Sequence, residues 1–284
     1  LGALALGAQR LLPSLQLIYS SWSGFRLNQP ALTSVLGFLE QPVAKADLAP
    51  ATAPLQFHSE VRLQQLSFRY GPDLPWVLRD ANLSIRRGER IGIVGETGSG
   101  KSTLVDLLMG LLEPTTGVLL VDGAPVRGKQ LHRWRRAIAH VPQSIFLADA
   151  SIAENIAFGM PRACIDQARL EQASEQAQIA SFIHSLADGY ETKVGERGVR
   201  LSGGQRQRIG IARALYKQAA VLVFDEATSA LDEATETEVI GAIEGLSINL
   251  TIVMIAHRLS TLERCDRLVS VKRGQLEVAE SMQR

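Results

Sequence analysis

The residues Gly95, Glu96, Thr97, Gly98, Ser99, Gly100, Lys101, Ser102 and Thr103 follow the apolar run IGIV and open the helix-forming stretch STLVDLLMG. Strand, glycine-rich turn and helix in that order form a cradle for phosphate. Backbone N–H groups of the loop can wrap the anion, Lys101 can reach the β- and γ-phosphates, and Ser102 can ligate Mg²⁺. A second anion-ready helix start occurs in LSGGQRQR, Leu201 to Arg208, where Ser202 and two glycines precede good helix formers. The Ser202 hydroxyl and the unpaired N–H groups of that first turn would face a ligand, helped by the helix dipole, while Gly203 and Gly204 permit close backbone approach. One chain therefore offers phosphate two places.

Three further polar groups fall at the ends of buried runs. VLVFDE delivers Asp225 and Glu226 to the carboxyl end of an apolar strand, the edge where ligands bind in open parallel sheets. Neighbouring side chains on a strand point opposite ways, so the two acids take different tasks: Asp225 suits the Mg²⁺ shell, and Glu226 suits orienting and deprotonating a water. TIVMIAHRLST brings His257 to the same edge, and HVPQ puts Gln143 at another strand end, able to bond Mg²⁺ or the attacking water.

The elements that must position these groups are legible in the hydrophobic pattern. VRLQQLSF alternates apolar and polar residues, and NLSI precedes the turn Arg86-Arg87-Gly88-Glu89; both suit half-exposed antiparallel strands. IGIV (91–94), VLVF (221–224) and TIVMIA (251–256) are continuous apolar runs separated by helical stretches, as in a parallel sheet covered on both faces. Residues 144–200, rich in Ala, Gln and Glu at helical spacing, read as a helical insertion between sheet strands. The cluster His132-Arg133-Trp134-Arg135-Arg136 reads as a solvated helix face.

The whole chain has 284 residues, 46% of them hydrophobic, enough for a sizeable core. Its net charge of +1 leaves no bulk electrostatic footprint for nucleic acid. Cys164 and Cys265 stand apart from each other and from any CxxC pattern, which fits free thiols in a reducing compartment. From Arg10 to about Glu40, Leu11, Leu15, Ile18, Trp22 and Phe25, then Leu32, Val35, Leu36 and Leu39, recur at helical spacing and predict one or two amphipathic helices. Two readings of that segment stand side by side: a helical appendage, or the cytoplasmic end of a transmembrane helix whose upstream part is missing. The second accords with a start at Leu1 and an apolar run, LGALALGA, too short to cross a bilayer. QPVAKADLAPATAP (41–54), rich in proline and alanine without periodicity, reads as a linker.

Taken in order, GETGSGKST, Gln143, LSGGQ, VLVFDE, SALD (Ser229 to Asp232) and His257 resemble the nucleotide-binding domain of an ABC transporter, over about residues 58–278. The resemblance implies a P-loop α/β fold: a mostly parallel sheet core, an N-terminal antiparallel β subdomain and an inserted helical subdomain. It implies that Lys101, Ser102 and Thr103 bind phosphate and Mg²⁺, that Asp225 helps hold the metal, that Glu226 is the catalytic base and that His257 senses the γ-phosphate. Tyr70, in SFRYG, matches the family's adenine-stacking aromatic, although an ordinary strand-end tyrosine would look the same. In this family LSGGQ, here Ser202, Gly203, Gly204 and Gln205, caps the ATP held by the P-loop of a second, opposed domain, which implies a homodimer with two competent sites.

VGERGVRLSGGQ and AHRLST resemble the exporter branch, in which membrane and ATPase domains share one chain and the segment around Glu196 touches loops of the membrane domain. Residues 1–40 are then expected to be the end of a transmembrane domain, 41–57 a linker and 58–278 the ATPase. This part would lie on the cytoplasmic side of the cell inner membrane. QRLLPSLQLIYSSW is similar to lipid-linked oligosaccharide flippases. A soluble ABC ATPase acting on ribosomes or DNA is the rival reading, but it usually carries tandem domains or a coiled-coil insertion. A P-loop kinase would have no use for LSGGQ.

Overall fold

A computed structural model of the chain describes residues 2–40, 53–225, 241, 250–255 and 265–279. The chain forms two units, Leu1–Pro50 and Ala51–Arg284. The first is one helix, α1 (Gly2–Leu39), which runs through Pro13 and Pro30. Apolar side chains are not confined to the stripes expected from sequence: Leu12, Leu17, Tyr19, Leu27 and Phe38 also stand exposed, around the rest of the helix. The helix is thus apolar on several faces rather than amphipathic. No helix among the described residues is long and apolar enough to cross a membrane.

In the second unit, β1 (Glu60–Phe68) and β2 (Leu78–Arg86) pair antiparallel, as their alternation predicts. Val61, Leu63, Leu66 and Phe68 are buried, and a register shift between Leu63 and Leu66 coincides with Gln65 at φ 48°, so the inward set is recovered after a bulge. β3 (Arg90–Val94) leads through the glycine-rich loop into α2 (Lys101–Leu108). β4 (Thr116–Val121) and β5 (Ala124–Pro125) complete a four-stranded antiparallel sheet in the order β2-β1-β4-β5. α3 (Lys129–Ala137) buries Trp134 completely while Arg136 faces solvent, so the basic cluster is mainly a helix face.

β6 (Ile138–Val141) is followed by the helical insertion: α4 (Ile152–Ile156), α5 (Gln167–Gln176), α6 (Ala180–Ser185) and then α7 (Gly203–Tyr216). β7 (Val221–Asp225), β8 (Thr251–Ile255), β9 (Arg267–Lys272) and β10 (Gln275–Ala279) complete a six-stranded sheet, ordered β10-β9-β3-β8-β7-β6. Its strands are parallel except β10, which returns from β9 through Arg273 and Gly274, both at positive φ as a type I′ hairpin turn requires.

Along β7 the side chains alternate between two cores. Val221 and Val223 join Leu104, Leu107 and Trp134 on one face of the sheet. Leu222 and Phe224 join Ile152, Leu170, Ile209 and Ile211 on the other. A strand buried on both faces needs no polar alternation, which is why these runs are continuously apolar.

Candidate functional site

The loop from Gly95 to Gly100 owes its path to glycine. Gly95 sits at φ 155°, and a Cβ there would lie 2.4 Å from the Val271 carbonyl oxygen and 2.7 Å from Ser99 Oγ. Gly98 and Gly100 adopt φ 80° and 106°, in the region that costs other residues strain. Gly100 precedes α2 without a side-chain cap, so the first N–H groups of that helix are left for a ligand. Glu96, Thr97 and Gly98 are exposed, and Ser99 Oγ is buried without a partner among the described residues.

Lys101 is only 6% exposed, yet it makes no ion pair with a described acid: its Nζ donates to the carbonyl oxygens of Gly95 (2.8 Å) and Glu96 (2.9 Å). An ammonium folded back onto its own loop is held where an anion entering the cradle would meet it. Ser102 is exposed one residue on, while Thr103 is buried and bonded to Tyr70. The Tyr70 ring packs edge-on against Phe68 at 4.9 Å between centroids but remains 62% exposed, an aromatic surface at the edge of the loop.

Parallel pairing brings the other strand ends to the same edge. Asp225 closes β7 opposite Ile255 of β8, and β8 in turn lies beside β3, which feeds the loop. Gln143 is exposed two residues past β6, whose Val141 pairs with Phe224. The sheet thus gathers the loop, Asp225 and Gln143 on one edge. Glu226, Ser229 to Asp232 and His257 lie outside the described residues; in sequence Glu226 directly follows β7 and His257 comes two residues after β8.

Sequence reasoning missed His140 and Asp106, which share Asp225's electrostatic neighbourhood. Burial lowers the His140 pKa against the pull of Asp225 and Asp106. Burial raises the Asp106 carboxyl; His140 works against that shift and Asp225 adds to it. Only the fold brings α2 and β6 together, so no spacing along the chain signals the group.

Ser202 caps α7 in a reciprocal box: its Oγ accepts from Gln205 N at 3.2 Å, and Gln205 Oε1 accepts from Ser202 N at 2.8 Å. The box uses the Ser202 and Gln205 amides and leaves those of Gly203 and Gly204, with the Ser202 hydroxyl proton, for an anion. A Cβ on Gly203 would meet nothing within 4 Å among the described residues, so the turn is uncrowded beside Gly203. This second start belongs to the core of the helical insertion, whereas the first belongs to the core beneath the antiparallel sheet.

The family model described as "ABC transporter" matches residues 78–229. The ATP-dependent lipid A-core flippase of Ralstonia nicotianae is 41% identical over 257 residues, covering 88% of this chain and 43% of its own length. Its counterpart in Chromohalobacter salexigens is 44% identical over 248 residues, covering 87% and 42%. A solved bacterial Atm1-family ABC exporter with ATP bound superposes with a TM-score of 0.76 at 33% identity, covering 96% of this chain and 48% of its own. The chain thus spans less than half the length of the curated relatives it matches.

Proposed function

This chain belongs to the ABC transporter family and carries its exporter-type ATPase domain, and we propose that it is the cytoplasmic motor of an inner-membrane exporter that moves a lipid or glycolipid. In that reading residues 58–278 are the ATPase, 41–57 a linker and 1–40 the end of a membrane domain in the same full-length chain. The names of the relatives support lipid cargo and weigh against a soluble ATPase acting on ribosomes or DNA.

The observation that carries the reading is Lys101, buried and, among the described residues, donating only to loop carbonyls within a glycine cradle whose helix has no side-chain cap. ATP would exchange those two carbonyl contacts for phosphate oxygens, which bind an ammonium more strongly. Mg²⁺ fits as well: Ser102, Asp225 and Gln143 are hard oxygen donors on one edge. When bound, Mg²⁺ would neutralise phosphate charge. Glu226 orients and deprotonates the attacking water, Gln143 and His257 contact the reacting end, and Tyr70 stacks on the base. Ser202 to Gln205 would complete the site of an opposed second chain.

Exposed Phe146, Phe158 and Met160 support the membrane-domain partner. The last two border a cavity of about 590 Å³ that Arg213, Tyr216 and Lys217 also line. Apolar side chains grouped so on a surface mark a contact site.

Glu226→Gln tests the reaction. It should bind ATP as the parent does but hydrolyse it on the order of 10² to 10⁴ times more slowly, the usual cost of losing a general base. Near-normal turnover would remove Glu226 from the mechanism.

A further inference from the structure

Two hairpin turns of this fold share one backbone shape and differ in what stands beside them. Asp122 and Gly123, between β4 and β5, adopt φ 49° and 78°, and so do Arg273 and Gly274, between β9 and β10. Gly123 is exposed, and a Cβ on it would meet nothing within 4 Å among the described residues. Gly274 is buried, and a Cβ on it would lie 2.4 Å from the Val77 carbonyl oxygen and 3.4 Å from Leu78 Cα. Both turns favour glycine by conformation, but only the second is also denied a side chain by its neighbours.

The segment that Gly274 touches leads to the glycine-rich loop. Val77 turns the same carbonyl oxygen toward Gly100, where a Cβ would lie 3.2 Å from that oxygen and 3.5 Å from Val77 Cγ1. Val77 N donates to the carbonyl of Phe68, the last residue of β1, at 2.9 Å, and Arg79 N donates to the Gly274 carbonyl at 2.8 Å. The segment is thereby held between β1 and the β9–β10 turn. At the other end of the loop, Gly95 abuts the carbonyl of Val271, in the strand that runs into the same turn. Both Gly95 and Gly100 thus rest on one hairpin, directly through Val271 and indirectly through Val77. Contacts of backbone on backbone transmit a displacement with little slack, since neither side can yield by changing a rotamer.

We propose that Gly274 is a positioning residue for the phosphate cradle: lacking a side chain, it lets the β9–β10 turn sit against Val77, and Val77 sets where Gly100 and the first turn of α2 stand. That first turn has no side-chain cap, so its amides depend on this backing for their aim at phosphate. Hydrogen bonds weaken steeply as distance and angle depart from the optimum, so a shift of the Val77 carbonyl is read out as lost affinity. The inference rests on the ATPase reading given above and adds an element remote in sequence on which ATP affinity depends.

Gly274→Ala and Gly123→Ala in the full chain test it, with Kd for a fluorescent ATP analogue, kcat at saturating ATP and the thermal midpoint measured for each. Both put a side chain at φ 78° and should lower the midpoint through the same backbone strain. Gly274→Ala should in addition raise Kd roughly tenfold, the loss expected when one hydrogen bond to a charged phosphate is made poorly. Its kcat should change by less than about twofold, because the contact serves ground state and transition state alike. Gly123→Ala should bind the analogue as the parent does. A parental Kd for Gly274→Ala would show that the turn gives way and Val77 does not, and equal losses of affinity in both variants would trace the effect to stability alone; either result overturns the proposal. Failure of the parent chain to bind ATP would bring down the ATPase reading itself, an outcome distinct from the others. Should Gly274→Ala fail to fold, Val77→Ala, at a half-buried position, removes the Cγ1 beside Gly100 and must likewise raise Kd; an unchanged Kd there overturns the proposal.

Discussion

The hydroxyl of Tyr70 lies 3.2 Å from Thr103 Oγ1, tying the end of the first antiparallel strand to the first turn of α2. The bond holds an exposed aromatic ring beside the glycine-rich loop, so a residue just past β1 and the helix that the loop opens are joined by one contact. Loss of the ring and loss of the bond are separable. Tyr70→Ala should weaken nucleotide binding by the worth of a base–aromatic stack, about 1 to 3 kcal/mol, or roughly 5- to 150-fold in Kd. Tyr70→Phe keeps the stack and should cost less than about tenfold. Titration with a fluorescent ATP analogue checks both, and equal losses for the two variants would assign the role to the hydroxyl instead.

Asp122 gathers the start of β1: its carboxylate accepts from the backbone N–H groups of His58 (2.8 Å), Ser59 (2.8 Å) and Glu60 (3.0 Å) and from the Ser59 hydroxyl (2.7 Å). Burial pushes the carboxyl up, but these bonds outweigh it and bring the pKa from 3.8 to about 2. A depressed folded pKa contributes stability that is present above the unfolded value and is lost as pH falls through the folded one. Asp122→Asn should therefore be less stable than the parent at neutral pH, by about 1 kcal/mol or less because solvent screens the site. The gap should hold down to about pH 4 and close toward pH 2. Thermal midpoints across that range decide the matter; a gap that widened in acid would contradict the sign.

The two cysteines should differ sharply. Cys164 is exposed, whereas Cys265 is half-buried, and its thiol is pushed up to about 12 by burial and the neighbouring Asp266, with Arg90 opposing. At pH 8 only on the order of 10⁻⁴ of the Cys265 side chains would be thiolate, the reactive form. A disulfide reagent should titrate one thiol per chain quickly and the second only in denaturant. Two equally fast thiols would show that the region around Cys265 opens readily.

Much of this was legible in sequence because the signals are local. The apolar runs gave β3, β7 and β8 nearly to the residue, and Ser202 with Gln205 three positions on forms the capping box that such spacing foretells. The bond from Arg213 to the Asn155 carbonyl was not legible, since the two residues are 58 positions apart and meet only through helix packing. For the same reason Asp122 and Ser59 gave no warning. In α1, two stripes of apolar residues suggested an amphipathic helix, but Leu12, Tyr19 and Leu27 fill the intervening faces. Periodicity reports a stripe only when the residues between are polar.

The placement of the two anion-ready helix starts in separate cores leads to a test by mixing. Lys101→Ala removes the ammonium from the cradle; Ser202→Arg fills the space ahead of α7 with a bulky cation. Each variant alone should be nearly inactive in ATP hydrolysis. If the glycine-rich loop and the start of α7 serve one nucleotide from opposite chains, a mixed dimer collects both defects in one site. Its other site then pairs an intact Lys101 with an intact Ser202. ATP-driven closure of the mixed dimer should return, and with it up to about half of parental turnover, if one sound site can cycle alone. If both helix starts served the same nucleotide within one chain, every site would carry a defect and mixing would restore neither signal. Closure is measured beside hydrolysis because turnover can demand two sound sites even where binding does not. Mixed dimers shown to form by differential tagging, yet silent in both assays, would count against the shared site.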